Sequence, residues 1–170
     1  MAEFQKVSYE QFRKTCMDLE CGGALWFAGD DEIKKYYDAL QLPRRAEPGS
    51  AGYDFYVPFK TVFTSVSPVL IPTGIRVLLD PGTFLMCVPR SGLGFKYGMR
   101  LRNSVGVIDE SYCFADNEGH IMAKITTEEP FTLNAGDRFM QGIIVNYGIV
   151  VDDNPIKDTR NGGFGSTGGN

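Results

Sequence analysis

The sequence predicts an all-β domain, a sandwich or barrel of short strands, with a short N-terminal helical extension and an extended glycine-rich C-terminal arm. Three observations carry that expectation. Apolar residues recur at every second position in several short runs: Ile75, Val77 and Leu79; Phe84, Met86 and Val88; Ile121, Ala123 and Ile125; Ile143, Val145 and Tyr147. That period sends alternate side chains to opposite faces of a strand. Between the runs stand turn-forming clusters, Glu47-Pro48-Gly49-Ser50, Asp80-Pro81-Gly82 and Asn134-Ala135-Gly136-Asp137, in a chain with 20 glycines and 9 prolines. From Asp158 to Asn170 glycine dominates, broken by Arg160 and Phe164, which is the composition of a flexible arm.

The elements divide into three stretches. Residues 1–31 read as an N-terminal extension: Ser8-Tyr9-Glu10-Gln11 resembles a capping box opening a helix to about Asp18. Gly22-Gly23 breaks it, and Ala24-Leu25-Trp26-Phe27 reads as a short strand or an anchoring patch. The extension either packs on the body or offers a surface to another protein. Residues 32–157 are the β domain, with β character expected from Glu32 onward. Residues 158–170 are the arm. Such a segment can wrap a ligand, laying Phe164 on a base while Arg160 reaches a phosphate.

The totals bound the function. A chain of 170 residues, 43% hydrophobic, suits one globular domain with a real core. A net charge of −4 argues against general affinity for nucleic acid, though not against one nucleotide in a local basic pocket. The first residues lack the regions of a signal peptide, and no run approaches the roughly 18 apolar residues of a membrane span. The expected setting is the cytosol, without a membrane. Four cysteines show no Cys-x-x-Cys pair, and the one histidine, His120, reads as a solvated turn residue beside Gly119. That leaves little for a zinc site or for nucleophilic Ser–His or Cys–His chemistry.

Pro89 to Tyr112 is the stretch richest in chemistry. Pro89 ends an apolar run, because proline cannot donate to a sheet ladder. Arg90, Ser91 and Gly92 then offer a guanidinium fork, a hydroxyl and an open backbone N–H, a set suited to phosphate oxygens. Val105, Val107 and Ile108 lead directly to Asp109. An acid at the end of an apolar strand is held in place and partly desolvated, which suits a group that orients or deprotonates water. A hairpin is expected between the two.

This segment resembles the trimeric dUTP nucleotidohydrolase (dUTPase) family. Pro89-Arg90-Ser91-Gly92 is similar to its second motif, and Gly106-Val107-Ile108-Asp109 with Tyr112 to its third. Ala51-Gly52-Tyr53-Asp54-Phe55 resembles the first, with Asp54 in a supporting role near the site. Gly136-Asp137-Arg138-Phe139-Met140-Gln141 resembles the fourth, and the arm the fifth. In an unbroken strand Arg138 and Gln141 face opposite ways, so both reach one ligand only if the strand bulges or ends there. Two departures stand out. The arm has one residue fewer between Arg160 and its glycine pair than many members. Cys113 to Glu118 adds residues where the family passes quickly from tyrosine to glycine; they lengthen a loop near the base-binding hairpin.

The resemblance implies a jelly-roll or β-clip barrel, and hydrolysis of dUTP to dUMP and pyrophosphate. That activity keeps uracil out of DNA and supplies dUMP for dTMP synthesis. Mg²⁺ would be held mainly by substrate phosphates and water. Asp109 would orient and activate the attacking water. Arg90, Ser91, Gly92, Arg138 and Gln141 would hold the phosphates, with Arg160, Phe164 and Gly165 closing over the site. Asn103 and the backbone around Val107 and Ile108 would read uracil, Tyr112 would pack under the deoxyribose, and Met122 would lie near the base. The family is a homotrimer with shared active sites. Two alternatives stand beside it. One is a dCTP deaminase-like enzyme on the same fold, for which the neighbours of Glu110 do not match. The other is a protein-binding regulator using residues 1–31 or 113–118.

Overall fold

The computed structural model describes residues 2–17 and 29–155. The expected strand at Ala24–Phe27 and the whole arm, including Arg160, Phe164 and Gly165, lie outside them. The order begins with β1 (Glu3–Lys6), α1 (Tyr9–Met17) and α2 (Asp30–Asp38). Then follow β2 (Arg44–Arg45), β3 (Tyr53–Tyr56), β4 (Thr61–Phe63), β5 (Val69–Pro72), β6 (Ile75–Leu78) and β7 (Thr83–Pro89). The second half comprises α3 (Ser91–Tyr97), β8 (Arg100–Leu101), β9 (Gly106–Asp109), a 3-10 helix (Glu110–Phe114), β10 (Met122–Thr126), β11 (Phe131–Leu133) and β12 (Arg138–Asn146).

The β domain is as the alternation predicts. Its largest sheet runs β2-β3-β12-β7-β9, and a second runs β5-β10-β8, with pairs β1-β6 and β4-β11 beside them. Every pairing is antiparallel. Ile75 and Val77 of β6, and Ile121, Ala123 and Ile125 around β10, join one core with Phe55, Leu85, Cys87, Ile108 and Phe139. The three turn clusters close as their residues dictate. The amide of Ser50 bonds the Glu47 carbonyl, that of Thr83 the Asp80 carbonyl, and that of Asp137 the Asn134 carbonyl, at 2.9–3.1 Å. On β7, Phe84, Met86 and Val88 do share a face. It is the half-exposed outer face, whereas Leu85 and Cys87 enter the core.

Three expectations need correction. Structure from Glu32 is helical, not β: Asp30, Asp31 and Glu32 stand in the first turn of α2, where acids favour the positive end of the helix dipole. β structure resumes only at Arg44. Second, β8 and β9 do not form a hairpin. β8 pairs with β10 and β9 with β7, so the turn at Asn103–Val105 crosses from one sheet to the other. Ser104 takes a left-handed φ of 67° there. Third, His120 is fully buried rather than solvated.

The N-terminal segment packs as a small core of its own. Val7, Phe12, Cys16, Ile33, Leu40 and Phe59 cluster there, flanked by Tyr9, Tyr36 and Tyr37. The cap expected at Ser8 is present: its Oγ accepts from the Gln11 amide at 3.1 Å, satisfying one of the unpaired first-turn donors.

Candidate active site

One corner of the outer sheet face gathers the phosphate-type residues. Register sets them in rows: Arg44 lies opposite Asp54, Asp54 opposite Gln141, and Gln141 opposite Val88. Directly paired residues share a face, so Arg44, Asp54 and Gln141 point the same way. Arg138 joins them because of a bulge. It pairs with Tyr56, but the register then shifts, so that Met140 meets Phe55 and Gln141 meets Asp54. Phe139 and Met140 are consequently both buried, at 0% and 1% exposure. The extra residue resets the alternation, and the parity conflict between Arg138 and Gln141 disappears.

Asp54 holds this corner together. Its carboxylate accepts from Arg138 at 3.0 Å through one oxygen and faces Arg90 Nε at 3.1 Å through the other. The Asp54 side chain is 9% exposed, the two arginines 34% and 42%. A nearly buried carboxylate therefore aims two half-exposed guanidiniums, each keeping donors free on the solvent side. Arg90 is placed from the backbone as well, its amide bonding the Phe139 carbonyl at 3.1 Å. Ser91 and Gly92 follow in the first turn of α3, where amides have no carbonyl one turn back. Gln141 lies over Gly52: a Cβ there would stand 2.4 Å from its Oε1. A side chain at position 52 would therefore push the end of Gln141 aside. Arg44, which sequence reasoning missed, donates to the Tyr56 hydroxyl at 3.1 Å. It lines a cleft of about 590 Å³ with Arg45, Asp54 and Arg138. Only strand pairing exposes it, since ten residues separate it from Asp54.

A second cleft, of about 800 Å³, opens where the chain crosses between the sheets. Its lining includes Asn103, Val107, Ile108, Tyr112 and Met122. The structure thus brings together all five residues expected around a nucleoside. Tyr112, 3% exposed, is fixed at its hydroxyl, which donates to the His120 carbonyl at 2.9 Å and accepts from Asn117 at 2.8 Å. Asp109 ends β9 opposite Phe84. It is exposed in the single chain, not partly desolvated as expected. Glu110 accepts from the Gly82 amide at 3.2 Å, which gives it a place in the β6–β7 turn.

The chain does not bring its two halves together. Asp109 sits beside Phe84, and Arg90 follows the far end of β7. Six residues of extended chain are on the order of 20 Å. Between them lies the half-exposed apolar face of Phe84, Met86, Val88, Ile143 and Val145, with Val107 55% exposed.

A model of the dUTPase family matches residues 38–168. The chain belongs to the dUTPase family. Over 145 residues it is 37% identical to the deoxyuridine 5'-triphosphate nucleotidohydrolase of Lactococcus lactis, covering 82% of this chain and 97% of that one. With the same-named protein of Shewanella baltica it shares 40% over 137 residues, covering 75% and 86%. The crystal structure of dUTPase from Streptococcus mutans superposes with a TM-score of 0.58 at 38% identity, covering 64% of this chain and 88% of that one. A mutant dUTPase from phage phi11 of Staphylococcus aureus superposes with a TM-score of 0.62 over 93% of this chain and 97% of that one. At 16% identity that is a likeness of fold; its structure describes the coordination of a structural Mg(II) ion.

Proposed function

We propose that the protein hydrolyses dUTP to dUMP and pyrophosphate, at sites assembled between subunits of a homotrimer. The observation that carries this reading is Asp54 aiming Arg90 and Arg138, on a dUTPase fold whose separate cleft is lined by Asn103, Val107, Ile108, Tyr112 and Met122. Asn103 and the backbone near Val107 and Ile108 read the uracil edge, and Tyr112 lies against the deoxyribose. Arg90, Ser91, Gly92, Arg138 and Gln141 neutralise and align the phosphates, which is most of what phosphoryl chemistry asks of a protein. Asp109 orients the attacking water and takes its proton, directing it at the innermost phosphorus. Arg160, Phe164 and Gly165 close over the ligand and exclude bulk water.

Mg²⁺ enters as part of the substrate. Both oxygens of Asp54 are engaged by arginines, and the described residues contain no group of three potential ligands able to hold a metal. On this reading the substrate phosphates and water would hold the ion, and its charge would offset theirs. The layout of the outer face supports the trimer reading. An apolar patch flanked by two incomplete half-sites is what a cyclic, head-to-tail contact completes, since each subunit lends one half to its neighbour. The reading places the enzyme in the cytosol, lowering dUTP and supplying dUMP for dTMP synthesis. The described residues include no helix long and apolar enough to cross a membrane.

A protein-binding role on the same scaffold is the second reading. Phe114, 80% exposed on the 113–118 loop, favours it. Pyrophosphate release with dUTP, dTTP, dCTP and UTP, with and without Mg²⁺, tests the first reading. Release from dUTP alone is expected; release from none, with a tight protein partner in pull-down, favours the second.

A further inference from the structure

Two features outside the five motifs, the N-terminal helix and the lengthened loop, form one unit. Residues 115–120 fold back against the 3-10 helix that carries Tyr112. The amide of Ala115 bonds the Tyr112 carbonyl at 3.1 Å, and that of Glu118 the Ala115 carbonyl at 2.8 Å. Glu118 takes a left-handed φ of 58°, and Gly119 follows at 71°. A Cβ on Gly119 would stand 2.6 Å from Cys113 Cα and 2.8 Å from the Tyr112 carbonyl oxygen. Such contact needs glycine, and non-glycine backbone strain of this kind persists only where its surroundings enforce it.

The enforcement comes from α1. The Glu118 carboxylate accepts from the Ser8 amide at 2.7 Å and the Ser8 hydroxyl at 2.6 Å. It thereby supplies the acidic half of the helix cap from 110 residues away. Burial alone would raise the Glu118 carboxyl; the Ser8 bonds and nearby Arg76 outweigh it and hold it below its ordinary range. His120 makes the next tie. Its Nε2 accepts from the Gly74 amide at 2.8 Å, while Nδ1 meets the Thr15 hydroxyl at 3.2 Å. Thr15 already donates to the Gln11 carbonyl at 3.0 Å, so Nδ1 carries the hydrogen, an assignment made from the bonding network.

The inner end of this brace is Asn117. Its Nδ2 donates to the Tyr112 hydroxyl at 2.8 Å, and its Oδ1 accepts from the Gly119 amide at 3.2 Å. Its carbonyl accepts from the His120 amide at 3.0 Å. Asn117 therefore bonds the hydroxyl of Tyr112, a residue that lines the nucleoside cleft. We infer that Asn117 is a positioning residue that fixes the Tyr112 ring against the sugar, and so sets discrimination between deoxyribose and ribose, with α1 anchoring it through Glu118. This rests on the reading of Tyr112 as the sugar platform.

The test is kinetic, on the full-length protein. Asn117→Ser keeps a short oxygen for the turn but cannot reach the phenol. We expect the ratio of kcat/KM for dUTP over UTP to fall about five- to tenfold, the scale of losing one buried hydrogen bond. Tyr112→Phe should cause a similar fall, and adding Asn117→Ser to it should cost nothing more. A merely structural asparagine would shift the melting temperature and leave this ratio and its coupling unmoved. An unchanged ratio in Asn117→Ser, or additive losses in the double variant, overturns the inference. So does full selectivity in Tyr112→Phe, which decides the matter even if Asn117→Ser fails to fold. A wild-type chain that releases no pyrophosphate from dUTP defeats the hydrolase reading instead, so the two failures are distinct.

Discussion

Asp54→Asn is the perturbation whose outcome the structure specifies most closely. The amide is isosteric, so the strand and its bulge stay in place. Its oxygen can still accept from Arg138 or from Arg90, but its NH₂ then opposes the other guanidinium. Both contacts are charge-assisted, at 3.0 and 3.1 Å, and such bonds contribute about 1.5–3 kcal/mol when desolvated. The arginines are 34% and 42% exposed, so the lower end applies, about 1–2 kcal/mol in folding. For a chain of 170 residues that lowers the melting temperature by about 3–6 °C. The kinetic effect is larger, because an unaimed arginine loses transition-state contact as well. A loss of about 1.5–3 kcal/mol there lowers kcat/KM roughly 10- to 100-fold. The assay is steady-state pyrophosphate release from dUTP beside thermal melting. A folded variant with wild-type kcat/KM refutes the claim that this carboxylate aims the phosphate-binding arginines.

Three further outcomes are expected. Asp109→Asn keeps nucleotide binding and loses most turnover; titration calorimetry with a non-hydrolysable analogue beside the rate assay checks both, and unchanged turnover removes the assigned base. Truncation before Arg160 preserves the oligomer on size exclusion but cripples hydrolysis, and a fully active truncate rules out the closing arm. Burial lowers His120 from 6.5 to about 4, so the unfolded chain takes a proton that the native one refuses. The stabilisation is full above about pH 6.5 and disappears as pH falls toward 4, on the order of 3 kcal/mol in all. Urea unfolding across that range should show this slope in the wild type and a flatter one in His120→Gln.

Much of the fold was legible because alternation and turn chemistry are local. Ser8, Asp80-Pro81-Gly82 and Asn134–Asp137 each close through bonds within a few residues, and the structure makes those bonds. The sequence also raised the parity conflict at Arg138 and Gln141, and the adjacent apolar pair Phe139-Met140 was its visible clue. What stayed hidden depends on distant partners. His120 looks like a turn residue until Phe12, Thr15 and Gly74 cover it. Glu118 caps a helix far away in the chain. Arg44 joins the phosphate corner only once β2 pairs with β3. The 30–38 segment misled because Ile33 alone of α2 is buried, too sparse a stripe for a helical period.

The central claim is that neighbouring chains share each site, and mixing two disabled variants tests it most directly. Asp109→Asn and Arg138→Ala are each expected to be nearly inactive alone. Dissociated together and reassembled at equal ratio, a cyclic trimer that borrows Asp109 from one subunit and Arg138 from another regains about one quarter of its sites. Pyrophosphate release from the mixture should therefore rise to roughly that fraction of wild type. A mixture that forms hybrid trimers yet stays as inactive as its components would place the whole site within one chain and contradict the account.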